Sequence, residues 1–273
     1  MGYINAYLSF FIPFFPSRIK WVCRESSIAS LNTKKFRLSW LFSFFYRFYN
    51  RYDSVVCQSE AMAEDLIRNY NVDKNKIKVI NNPINIHQAE EDKKKTSAKP
   101  VLARDKNDIE LLFVGTFSKV KRVTLLPQVM ALLPENYFLT MVGGGPYYND
   151  LVAEIGKNNV GSRVQVVTNC FNPFPYYSTS RCLLLCSQFE GFPNVILEAF
   201  SCGCPAIGYD IIGGANELLA NYGGFIADGD LQHFADKIRE VIEKKDIDRQ
   251  RVIEECNKKF SIEKIIEHYY TVL

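Results

Sequence analysis

Short apolar runs recur along this chain, each closed by a glycine or polar turn and followed by a helical stretch. IELLFVG, YFLTMVGGG, RVQVV, CLLLC (182–186), PAIGYD and GGFIADGD repeat the pattern after residue 108. IKWVCRE (19–25), DSVVC (53–57) and IKVINNPI (77–84) repeat it before. Runs this short and this apolar read as buried strands. Strands that alternate with helices need crossover connections, which makes the sheets parallel and the domains doubly wound α/β. Ligands in such folds sit at the carboxyl ends of the strands.

Composition narrows the partners. At 273 residues the chain has room for one large domain or two ordinary ones, each with its own core. A net charge of +3 is too small to argue for nucleic acid. The eight cysteines are scattered through apolar segments without a C-x-x-C, and there are three histidines. That pattern speaks against zinc and for reduced core thiols in a cytosolic protein. The opening MGYINAYLSFFIPFF is apolar, but it is short, broken by Asn5 and Pro13, and has no basic leader. It reads as neither a signal peptide nor a membrane span.

One stretch, SQFEGFPNVILEAFSCGCPAI (187–207), carries the densest chemistry. Gly191 turns the chain after the strand at 182–186, Pro193 suits the first helical position, and Gly203 and Pro205 stop the helix. Between Gly191 and Tyr209 the one charged residue is Glu198. A carboxylate in so apolar a helix costs roughly several kcal/mol unless it is partnered. Its side chain leans toward the helix start, where free N–H groups and the positive dipole end attract phosphate. Glu190 lies in the preceding turn. Spacing alone leaves two readings open: an anion site with two carboxylates, or a dipole-stabilised Glu beside a turn Glu that faces water.

EGFPNVILEAFSCGCPAI resembles the E-x7-E signature of the retaining family 4 glycosyltransferases, and the resemblance covers most of 109–273. It implies the two-domain GT-B architecture: a complete C-terminal Rossmann-like domain with a parallel sheet, and a partial N-terminal Rossmann-like domain. It also implies roles. Glu198 would hold the ribose of a sugar nucleotide, and Glu190 would sit beside the donor sugar. Gly191 and the amides of Phe192, Pro193, Asn194 and Val195 mark the turn where the diphosphate rests, although Pro193 has no N–H to give. At the turn after the strand 110–114 the family carries Gly-Arg and then a lysine that grips the diphosphate. Here Gly115 and Lys121 match, but Thr116 stands in the arginine's place, removing about 1.5–3 kcal/mol of charge-assisted bonding. Lys119 and Arg122 are the nearby cations that could compensate. Asn169 falls in a loop that faces the base in the family, and Tyr176 and Tyr177 match a P-x-Y-Y that packs rather than reacts. No metal is implied. Asp228 and Asp230 form a D-x-D, but Asp230 is placed as a helix N-cap.

The implied domains are 1–86 (partial, acceptor-side), a polar linker at 87–108, 109–255 (nucleotide-sugar binding), and a last helix at 256–273 that packs back on the first domain. The family's opening strand and histidine-bearing region have no counterpart here, so a truncated product, a split enzyme or a covering partner is expected. Residues 26–52 hold five basic residues and no acid, and FRLSWLFSFFYRFYN reads as a basic aromatic helix. It can pack on a sheet, or meet an anionic membrane through 33–51, or do both with different sides. The expected function is transfer of a sugar from a nucleotide-sugar, a UDP-sugar, to a glycan or lipid-linked acceptor in cell-surface polysaccharide synthesis. The place expected is the cytoplasm or the inner face of the membrane, without a cofactor. The alternatives are a nucleotide-sugar-binding remnant or subunit without turnover and, with a poorer fit to EGFPN, a sugar-nucleotide epimerase.

Overall fold

The computed structural model describes residues 2–33, 39–94, 105, 107–209, 211–221, 224–227, 229–243 and 247–272. Lys34, Lys35, Arg37, Asp228 and most of 95–106 lie outside the described residues. The chain divides into two compact units. One comprises Met1–Pro83, Glu190–Pro193 and Ile262–Leu273; the other comprises Ile84–Phe189 and Asn194–Ser261.

The first unit holds a parallel three-stranded sheet, β1 (Val22–Arg24), β2 (Ser54–Cys57) and β3 (Ile77–Val79), in the order β1-β2-β3. The central strand β2 is buried throughout, as a largely apolar strand between two partners should be. The outer strands are shorter than the sequence pattern predicts. After Ile80 donates to Cys57 O, Asn81 instead donates its side-chain amide to Gln58 O, and Pro83 has no N–H for the ladder. Ser59 caps the helix Glu60–Tyr70 by accepting from Met62 N. The helix Ile262–Tyr270 brings Ile265 against Val56 and Ile80, joined by Val272. The helices Gly2–Phe11 and Ser39–Tyr46 pack through their rings: Tyr7 meets Phe45 at 5.4 Å and Phe10 meets Phe45 at 6.0 Å.

The second unit is built on a fully parallel six-stranded sheet. Its strands are β4 (Ile109–Val114), β5 (Tyr137–Val142), β6 (Val164–Val167), β7 (Cys182–Leu185), β8 (Ala206–Tyr209) and β9 (Gly224–Ala227). They run in the order β9-β8-β7-β4-β5-β6. The order reverses between β4 and β7, and a doubly wound sheet opens a ligand crevice at such a switch. Leu111, Phe113, Leu139, Met141, Leu184 and Ile207 form the sheet side of a core closed by helices such as Leu231–Glu243. Fold class and parallel pairing agree with the sequence pattern.

Several boundaries differ from it. The polar segment after Ile84 begins with a helix, Ile86–Lys94, that packs on the short helix Phe174–Thr179, with Asn172 Nδ2 donating to Asp92 O at 2.8 Å. The helix after β4 begins only at Leu125, past Arg122, which takes a left-handed conformation (φ 45°). The helix after β5 starts at Tyr148, two residues past Pro146. All eight cysteines are unpaired; seven are buried and Cys170 is half-buried.

Candidate functional site

The loops after β4 and β5 are locked together by their backbones. Gly115 N donates to Val142 O at 3.0 Å, Phe117 N to Gly144 O at 2.9 Å, and Tyr147 N to Phe117 O at 3.1 Å. A Cβ on Gly143 would stand 1.9 Å from Gly115 O, so no other residue fits there. Phe117 is fully buried and anchors the loop, while Thr116 beside it is exposed. Lys121 is half-buried, and its Cε lies 4.0 Å from where a Cβ of Gly115 would be. That is ordinary contact, so the glycine answers to its backbone (φ 156°) and not to the lysine stem, which lies at the carboxyl end of β4.

Arg122 does not stand in for an arginine at position 116. Its guanidinium donates to three backbone carbonyls, Cys186 O, Ser187 O (3.1 Å) and Tyr209 O (2.8 Å), and lies 5.4 Å from the Tyr209 ring centroid. These carbonyls follow the ends of β7 and β8, so the side chain ties two strand ends to the β4 loop. It is a structural cation.

The helix Asn194–Ser201 begins just after Pro193 and buries Ile196, Leu197, Ala199 and Phe200. It ends as the sequence indicates. Gly203 takes φ 67°, its N–H donating to Phe200 O and that of Cys204 to Ala199 O. Glu198 is half-buried within this apolar helix. Its Oε2 accepts a 2.8 Å hydrogen bond from the hydroxyl of Tyr177, which is fully buried. No ion pair reaches Glu198 among the described residues. Burial pushes its carboxyl above the ordinary range, and the Tyr177 bond pulls the other way. Burial and the Glu198 charge push the Tyr177 phenol well up, so it stays protonated and remains the donor.

Of the preceding turn, Glu190, Gly191, Phe192 and Pro193 group with the first unit. There Gly191 O accepts from the Ser59 hydroxyl at 2.8 Å. A Cβ on Gly191 would stand 3.1 Å from both Met62 Sδ and Ser27 Cα, a fit that only glycine makes easily. Phe192 is buried and Glu190 half-buried; Asn194 is exposed and Val195 half-buried. Asn169, in the loop after β6, is exposed with φ 56°. Asp230 caps its helix, accepting from His233 N at 3.0 Å. Among the described residues no group of three His, Cys, Asp or Glu is placed to hold a metal.

Gly115 and Lys121 thus share one strand end, and Glu198 is oriented by a tyrosine read from the sequence as mere packing. The signal for that pairing was a hydroxyl-bearing ring in an apolar helix and one unpaired glutamate in another. The separation of 21 residues hid it.

The chain has relatives among known proteins. Residues 94–259 match the model of glycosyl transferases group 1, and residues 23–88 match that of Glycosyltransferase Family 4. The N-acetylgalactosamine-N,N'-diacetylbacillosaminyl-diphospho-undecaprenol 4-alpha-N-acetylgalactosaminyltransferase of Campylobacter jejuni is 27% identical over 173 residues, which is 63% of this chain and 46% of that protein. The N-acetyl-alpha-D-glucosaminyl L-malate synthase of Bacillus anthracis is 29% identical over 169 residues, 59% of this chain and 44% of that one. The chain spans about half the length of these curated relatives. Among solved structures, Anabaena HepE in complex with UDP and glucose superposes with a TM-score of 0.82 at 21% identity, over 99% of this chain and 74% of that one. The chain is therefore a member of the family 4, group 1 glycosyltransferases, with the GT-B fold.

Proposed function

We propose that this chain transfers a sugar, with retention, from a nucleotide-sugar donor to a glycan or lipid-linked acceptor during assembly of cell-surface polysaccharide. The donor is a UDP-sugar, a reading supported by the UDP-bound HepE structure, whose fold this chain shares. The observation that carries the proposal is Glu198: a half-buried carboxylate on the helix that follows the EGFPN turn, oriented by Tyr177 and without a paired cation among the described residues. A carboxylate held this way accepts from paired hydroxyls, and the ribose of a nucleotide supplies them.

In this proposal the bond between the anomeric carbon and the diphosphate oxygen breaks. The acceptor oxygen forms its bond on the same face, and its proton passes to the departing phosphate. Lys121 and the amides of Asn194 and Val195 offset the developing diphosphate charge. Gly115 turns the chain beside the diphosphate, Glu190 positions the sugar, and Asn169 faces the base. The nucleotide-sugar is a substrate, and no cofactor or metal enters the scheme. The setting is the cytoplasm, with peripheral contact at the inner face of the membrane through 33–51. No helix among the described residues is long and apolar enough to cross one.

A second reading, a subunit that binds nucleotide-sugar without turnover, is favoured by the exposed Thr116 where the family carries arginine. Calorimetry with UDP, followed by UDP release from a panel of UDP-sugars with and without a polyprenyl-diphosphate acceptor, separates the two. Binding with release supports transfer, and binding alone supports the subunit. UDP affinity that is unchanged in Glu198→Ala, with the fold intact, removes the ribose contact and the proposal with it.

A further inference from the structure

We propose that the free edge of β3 is a docking groove for an extended peptide of alternating apolar and acidic residues, which joins the first sheet as a fourth strand. Among the described residues β3 pairs on one side only, with β2. Ile80 N–H donates to Cys57 O on β2, while Ile77 N–H turns away to Lys74 O. Successive residues of a parallel ladder face opposite neighbours, so Val79 turns its N–H and C=O to the open side. There they meet no backbone partner among the described residues. A donor and an acceptor displayed together on a strand edge are what another strand answers.

The edge lies in a slot of about 600 Å³ between two helical layers. The helix Glu60–Tyr70 brings Ala63 and Ile67 to one wall, and the segment from His268 to Val272 forms the other. Ile80 packs against Ile265 on the face covered by Ile262–Tyr270. Alternation along β3 puts Lys78 on that same face, and Ile77 and Val79 on the face toward Glu60–Tyr70. One wall is thus apolar, and the other carries Lys78 and His268, both exposed; Lys74, also exposed, lines the groove before β3. Glu60 is the one acid among the described lining residues. A strand laid here turns alternate side chains to the two walls, so apolar residues alternating with acids match both. A small anion would leave the Val79 carbonyl unanswered. A second copy of the chain, paired edge to edge about a two-fold axis, would set the same lysines against each other. All of these residues belong to the first unit and none enters the donor scheme, so peptide binding and sugar transfer can fail separately.

The test is fluorescence anisotropy of a labelled peptide, GSVEVEVSG, titrated with the full chain, against GSVKVKVSG. Saturable binding of the acidic peptide, weakened by salt, is expected, with the lysine peptide weaker by about tenfold or more. Two further acidic peptides carry N-methyl groups, one on its valine amides and the other on its glutamate amides. Only one of these sets faces β3, so one peptide should bind like the parent and the other should lose about tenfold or more. Lys78→Glu and Lys74→Glu should each weaken the acidic peptide, with circular dichroism confirming the fold of each variant. No binding of the acidic peptide, equal binding of the two charge types, equal binding of the two methylated peptides, or full binding by both lysine variants overturns the proposal. Complete displacement of the peptide by inorganic phosphate at matched ionic strength overturns it by assigning the groove to a small anion. Self-association that Lys78→Glu alters, with no peptide binding, overturns it by assigning the edge to a second copy.

Discussion

The phenolic oxygen of Tyr177 lies 2.8 Å from Oε2 of Glu198, joining two helices through the one charged side chain of the EGFPN helix. A buried ring with its hydroxyl spent on a carboxylate is a positioning device: it sets where the acid points and keeps its charge tolerable. Removing the hydroxyl should disturb both.

Tyr177→Phe keeps the ring's volume in its fully buried place and leaves Glu198 Oε2 without its partner. The expected cost is about 1–3 kcal/mol of stability, since a desolvated acceptor is left unpaired. UDP affinity should fall as well. Urea titration and calorimetry on the same sample separate the two losses.

Glu198 also predicts a pH dependence for donor binding. Burial raises its folded-state pKa above 4.5, and a ribose hydroxyl donates best to the ionised form. UDP affinity should therefore decline as pH falls through that raised pKa, earlier than an ordinary carboxylate would allow. Glu198→Gln should bind weakly at every pH and lose the slope. Calorimetry from pH 8 down to pH 5 reads both.

Glu25 gives a separate stability signal. Its Oε1 accepts from the Tyr49 hydroxyl, its Oε2 is buried with no partner among the described residues, and burial raises its pKa from 4.5 to about 7. The folded state then holds a proton that the unfolded chain releases, so stability falls as pH rises from 4.5 to about 7 and levels off above. At about 1.4 kcal/mol per unit the loss is on the order of 3 kcal/mol. Glu25→Gln should flatten this slope in a series of melts across that range.

Arg122→Ala strips three carbonyls of their shared donor and should cost about 3 kcal/mol or more, as broken buried networks do. Arg122→Lys should restore little of it, because an ammonium cannot span the same fork. Thermal denaturation of the two variants is the measurement.

Two adjacent glycines make a controlled pair. Gly143→Ala drives a methyl to 1.9 Å from Gly115 O and should cost more than about 4 kcal/mol. Gly144 has nothing within 4 Å of its absent Cβ, and Gly144→Ala should be close to neutral in the same denaturation assay.

Much of this was legible in the sequence, and for a local reason. β4 to β9 are short apolar runs whose periodicity and closing turns need no distant information, and the Gly203 stop is a matter of one residue's backbone freedom. What escaped was set by contacts across the fold. Lys121 and Arg122 look like a helical first turn, yet Arg122 is left-handed, its guanidinium bonded to three carbonyls at the ends of β7 and β8, and the helix begins only at Leu125. The helix Ile86–Lys94 is polar enough to pass for a linker, and it is the Asp92 backbone, not a side chain, that meets Asn172. Ser59 is readable as a helix cap, but its second bond, to Gly191 O, joins positions 132 residues apart.

The distribution of thiols has a practical use. Seven of the eight are sealed inside packed elements, while Cys170 keeps contact with water next to Asn169. A maleimide dye should therefore attach at one place in the unmodified chain and report on the turn that follows β6 without any cysteine being engineered in or out.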